Sequence, residues 1–117
     1  MEIKSIRNVK NLSGKKILLR ADFNVSIKNG RIKDDYKIVA TLPTIRFLLR
    51  HQARIIIITH LDANKSLPEK NKISTKLISV RLSALLGKKV NWLDGCLGKK
   101  VSRAASQMKL GEIILLE

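Results

Sequence analysis

A chain of 117 residues with a net charge of +15 and 44% apolar residues fits one globular domain with a core of its own, and its composition is that of a globular rather than a disordered chain. A single cysteine, Cys96, excludes an internal disulfide framework and a CxxC metal pair, and the longest aliphatic runs, Ile55–Ile58 and Ile113–Leu116, are strand-sized, too short to span a membrane. The basic residues are scattered rather than run together, so they form neither a basic tail nor a localisation signal, but their field attracts anions such as phosphorylated metabolites, nucleic acid or acidic lipid.

The N-terminal stretch MEIKSIRNVKNL lacks the apolar centre of a signal peptide, and a soluble, cytoplasmic protein is expected. Lys16–Leu19 reads as a short strand. Val25–Ile32 alternates around Asn29-Gly30, the preferred pair for a tight hairpin because both central residues need positive φ. Ile38–His51 has helical spacing, with Leu42, Ile45, Leu48 and Leu49 on one side; Pro43 lacks an N–H and is expected to start the main helix or to kink a longer one.

Ile55–Thr59 is a fully apolar, β-branched strand of the kind covered on both faces in a parallel sheet. A polar loop, Leu61–Lys72, follows. Ile78, Leu82, Leu85 and Leu86 then mark an amphipathic helix, with Gly87 at its C-cap. Lys89–Trp92 is a strand candidate, Val101, Ala104, Ala105 and Met108 mark another helix, and Ile113–Leu116 is a last strand. Strand and helix alternate, which predicts an α/β fold: a mostly parallel sheet flanked by helices in a Rossmann-like three-layer arrangement, with a short β-hairpin.

Ligands of such sheets bind outside the carboxyl ends of the strands. Three polar groups stand at strand exits: Asp22 with Asn24, His60, and Asp94. Strand alternation puts Arg20, Asp22 and Asn24 on one side, where the carboxylate and amide suit hydrogen bonding to hydroxyls or a carboxyl group and Arg20 is placed to hold Asp22. The same residues also suit a plain Asp/Asn turn after a strand, and chemistry alone leaves both readings open. The GxxxxGK[ST], GxGxxG and GxSxG patterns are absent, and His51 and His60 are too isolated to imply a metal.

The order of these segments resembles the phosphoglycerate kinase family. That family carries R-x-D-x-N-V-P at a strand end, then a hairpin, a D-D/N-x-R-I-x-A-x-L-P-T-I helix start, a strand ending S/T-H-L-G-R-P, and a helix ending L-L-G-K. Here Arg20–Val25, Ile27–Ile32, Asp34–Ile45, Thr59–Leu61 and Leu85–Lys88 fall in that order. Gly111–Glu117 looks like the family's next strand. The resemblance covers the chain but only about the first third of a family member.

It implies that residues 1–117 are an incomplete N-terminal, substrate-binding domain, without the nucleotide-binding C-terminal domain. The implied reaction is phosphoryl transfer between 1,3-bisphosphoglycerate and ADP, giving 3-phosphoglycerate and ATP, and this chain is expected to be inactive alone. Asp22, Asn24 and His60 would touch the substrate, with Arg20 supporting. Lys37 stands where the family uses a catalytic arginine.

Departures from the family pattern predict weak binding of 3-phosphoglycerate or 1,3-bisphosphoglycerate. Lys37 loses an arginine's planar fork, Ala63 replaces a phosphate-binding arginine, Asp62 replaces a glycine, and Ser26 a proline. No cofactor is expected in this chain; Mg-ADP or Mg-ATP would come only with the missing C-terminal domain. A separate C-terminal kinase half is a possible partner. Two other classes are a non-catalytic phosphometabolite-binding or regulatory remnant, and a charge-driven nucleic-acid-binding module, which the lack of a recognition motif and of stacking aromatics disfavours. Removing the rest of the domain is expected to leave Ile113–Leu116 or Ile55–Ile58 without a neighbour.

Overall fold

The computed structural model describes residues 4–62, 67–68 and 72–117. Strand β1 (Lys16–Arg20) leads to a hairpin of β2 (Ile27–Lys28) and β3 (Arg31–Ile32). Helix α1 (Tyr36–Arg50), strand β4 (Arg54–Ile58), helix α2 (Lys76–Leu86), strand β5 (Asn91–Leu93), helix α3 (Lys99–Ser106) and strand β6 (Ile113–Leu116) follow. β1, β4, β6 and β5 form one four-stranded sheet in that order, every pairing parallel.

Alternation along the strands sorts the core into two layers. Ile55, Ile57, Ile113 and Leu115 face α1 and α2, where they join Ile38, Ile45, Leu48, Ile78 and Leu82, all with no exposed surface. Ile56, Ile58, Ile114 and Leu116 face the other way, against Met108, Val101 and Ala104 of the α3 region. Leu18, in register with Ile56, shares that second face but is 67% exposed.

The two most apolar strands do not lose their partners, contrary to the sequence-based expectation. β4 lies between β1 and β6, and β6 between β4 and β5. The last strand inserts inside the one before it, so the sheet edges are the more polar β1 and β5. β5 also begins later than Lys89: the N–H groups of Lys88 and Val90 are committed to Ser83, one to its carbonyl at 3.3 Å and one to its hydroxyl at 2.9 Å. Those two residues finish the helix cap, where Gly87 sits at φ +64°, instead of joining the ladder.

The hairpin turns on Asn29 and Gly30 at φ 53° and 72°, the paired left-handed conformation that Asn-Gly favours. Pro43 neither starts nor ends α1. The helix runs through it, with the ring exposed and Thr41 Oγ1 donating to the Lys37 carbonyl at 3.1 Å just upstream. Because α1 starts at Tyr36, Lys37 lies in its first turn.

Candidate functional site at the strand ends

After β1 the chain stays extended, and its alternation holds. Ala21, Phe23 and Val25 are buried, while Asp22 is exposed and Asn24 half-buried. Phe23, fully buried, anchors this segment. Its N–H donates to Thr59 Oγ1 at 3.1 Å, and the Ala21 N–H donates to the Ile58 carbonyl at 3.0 Å. These two bonds bring the exit of β1 beside the exit of β4, which carries His60.

Lys37 approaches the same place from the first turn of α1. Its Nζ lies 3.4 Å from one Asp22 carboxylate oxygen and 3.5 Å from the other. Asp22 also accepts the Asn24 N–H at 3.2 Å. The Asp22 carboxyl is held below its ordinary value of 3.8, first by that N–H and then by Lys37, with His60 adding a weaker pull and partial desolvation opposing all three.

Asn24 reaches across to Asp62, in the loop after β4. Its Nδ2 donates to Asp62 Oδ2 at 2.6 Å, and its Oδ1 accepts the Asp62 N–H at 2.8 Å. Asp62 Oδ1 in turn lies 3.6 Å from His60 Nε2. Open cavities flank the group, among them one of about 610 Å³ bounded by Asn24, Ser26, Ile27, Lys37 and Asp62, and one of about 290 Å³ bounded by Arg20, Asp22 and His60.

Asp22, Asn24, Lys37 and His60 thus come together from three segments of chain. Arg20 lines the smaller cavity, but it does not hold Asp22; Lys37 and the Asn24 N–H do. Asp94 follows β5 at the far edge of the sheet, with β4 and β6 between it and β1. It does not belong to the cluster. Ala63 and Asn64 lie outside the described residues, as does most of the Leu61–Lys72 loop. Cys96 is exposed and free.

Sequence reasoning missed Thr59 as a tie between strand exits, although its place one residue past β4 was a signal. It also missed a buried polar knot around Thr75. Thr75 Oγ1 donates to the Leu116 carbonyl and accepts from Trp92 Nε1, each at 3.0 Å, and the Glu117 carboxylate accepts the Thr75 N–H at 3.0 Å. These partners are far apart in sequence, and no local pattern announces them.

Fold and cluster together define a parallel α/β domain with its polar side chains gathered at the carboxyl ends of two adjacent strands. The family model for phosphoglycerate kinase matches residues 6–117, and the chain belongs to the phosphoglycerate kinase family. It is 49% identical to phosphoglycerate kinase of Wolbachia pipientis wMel and 42% identical to that of Fervidobacterium nodosum, each over the whole of this chain and 29% of the relative. Its fold superposes on the crystal structure of phosphoglycerate kinase from Pyrococcus horikoshii OT3 with a TM-score of 0.88 at 30% identity, covering 97% of this chain and 27% of that one. The phosphoglycerate kinase of Coxiella burnetii gives a TM-score of 0.73, also at 30% identity, with 98% and 28% covered. The chain therefore spans less than a third of the length of these relatives.

Proposed function

We propose that this chain is the phosphoglycerate-binding part of a phosphoglycerate kinase, a cytoplasmic element that positions a phosphorylated three-carbon acid and does not turn it over alone. The observation that carries the reading is the convergence of Asp22, Asn24, Lys37 and His60 at the exits of β1 and β4. In this reading Asp22 and Asn24 orient the glycerate hydroxyl and carboxyl groups, His60 borders the same group, and Lys37 supplies positive charge toward the transferring phosphoryl group. Phosphoryl transfer relies chiefly on such positioning and charge neutralisation. A lysine supplies the charge as a point, without an arginine's two-pronged grip, so binding is weak.

Among the described residues no group of three His, Cys, Asp or Glu side chains could hold a metal ion, and no glycine-rich phosphate loop occurs in the sequence. Nucleotide binding belongs, in this proposal, to the remaining length of a family member. Among the described residues no helix is long and apolar enough to cross a membrane.

Two measurements test the reading. Titration with 3-phosphoglycerate should move the NMR signals of Asp22, Asn24 and His60 first. Shifts confined to β5 or to α3, with those three silent, would refute the site. In a coupled assay the purified chain should form no ATP from 1,3-bisphosphoglycerate and ADP above an enzyme-free control, and turnover that co-purifies with the chain would refute the second half.

A further inference from the structure

The proposed reading leaves Asp62 unused. Its carboxylate accepts from Asn24 at 2.6 Å, stands 3.6 Å from His60 Nε2, and borders the 610 Å³ cavity together with Lys37. Its backbone N–H fixes the other end of the same carboxamide at 2.8 Å. A carboxylate so placed has the charge and hydrogen-bonding character of the acid group of a bound ligand. Its side chain is 47% exposed, so turning it to solvent would leave no buried charge behind.

We propose that Asp62 is an internal competitor, a carboxylate that takes the Asn24 and His60 contacts an acidic ligand needs, so that binding requires the Asp62 side chain to turn away. The inference rests on the acid-binding reading of the cluster. Asn24 has two amide hydrogens, and the contact takes only part of its donor capacity. Charge therefore carries most of the effect. Two like charges about 4 Å apart repel even in water by enough to weaken binding roughly fivefold, and more where solvent is partly excluded.

The test compares the parent chain with Asp62→Ala and Asp62→Asn. The backbone at Asp62 is not among the positive-φ positions, so either side chain fits without strain. Without ligand, the Asn24 carboxamide signals should shift and exchange faster in Asp62→Ala; unchanged signals overturn the competitor. With 3-phosphoglycerate as the probe, Asp62→Ala should bind at least about fivefold tighter than the parent. Asp62→Asn, which keeps a hydrogen bond but loses the charge, should recover most of that gain.

Asp94→Ala, a carboxylate removed at the far sheet edge, should leave affinity unchanged. An equal gain there would reduce the effect to net charge and overturn the proposal. Equal affinity in parent and Asp62→Ala, with binding still abolished by Asp22→Ala, overturns the competitor but keeps the acid site. No binding in any variant overturns both.

Discussion

Among the described residues, Asp22 carries a titration that reports directly on the site. A carboxyl whose folded pKa lies below its unfolded value stabilises the fold above that unfolded value, and the contribution is lost as pH falls through the folded pKa. NMR titration should therefore place the Asp22 midpoint below 3.8. Lys37→Ala should raise it without restoring it fully, because the Asn24 N–H, the larger cause, remains. A midpoint at or above 3.8 in the parent would show that the Asn24 and Lys37 contacts are absent in solution. At this scale the sequence was readable where strand alternation alone decides, as for Asp22 and Asn24. It marked Asp62 as a departure but was silent on its contact with Asn24, because that contact spans 38 residues and exists only once β1 and β4 pair. Arg20 was misjudged because Lys37, in the first turn of α1, reaches Asp22 instead.

The elements show the same division between local and long-range causes. The Asn29-Gly30 hairpin and the Gly87 cap were legible because each depends on backbone conformations that few residues adopt. The order of the strands was not legible, since nothing local makes β6 pass inside β5. Pro43 left two outcomes open in the sequence, a helix start or a longer helix running through it, and the structure has the longer helix. The proline sits on the exposed side of α1 and leaves the carbonyl four residues back without its usual donor, a defect that packing of Ile38, Ile45 and Leu48 against the sheet outweighs. Pro43→Ala restores the donor and should stabilise the chain by about 1 kcal/mol, a rise of roughly 4 °C in Tm. An unchanged or lower Tm would mean that the ring's restriction of the unfolded chain matters more than the missing bond.

For the whole molecule, charge and coverage oppose each other. One sheet face is closed by α1 and α2, while α3 covers only part of the other, leaving Leu18 67% exposed on an edge strand. Lys15, Lys16 and Arg20 flank that edge, and charged residues of this kind discourage strand pairing between copies. A net charge of +15 adds repulsion between whole molecules. Salt screens such repulsion over about 10 Å at ~0.1 M. Sedimentation velocity should therefore show a monomer at low ionic strength and growing self-association toward physiological salt, reduced by Leu18→Lys. A monomer at every salt concentration would show that the exposed face is not adhesive.

Trp92, the only tryptophan, sits where the edge strand β5, the start of α2 and the last residue meet. Its indole N–H is bound to Thr75, and Lys76 Nζ lies 5.6 Å from its ring centre. Intrinsic fluorescence thus observes one seam of the sheet and nothing at the Asp22 cluster on the opposite edge. Excited near 295 nm, the chain carries its own optical gauge for β5 leaving β6. Compared with circular dichroism, which averages over every helix, that gauge separates fraying of one edge from loss of the whole fold.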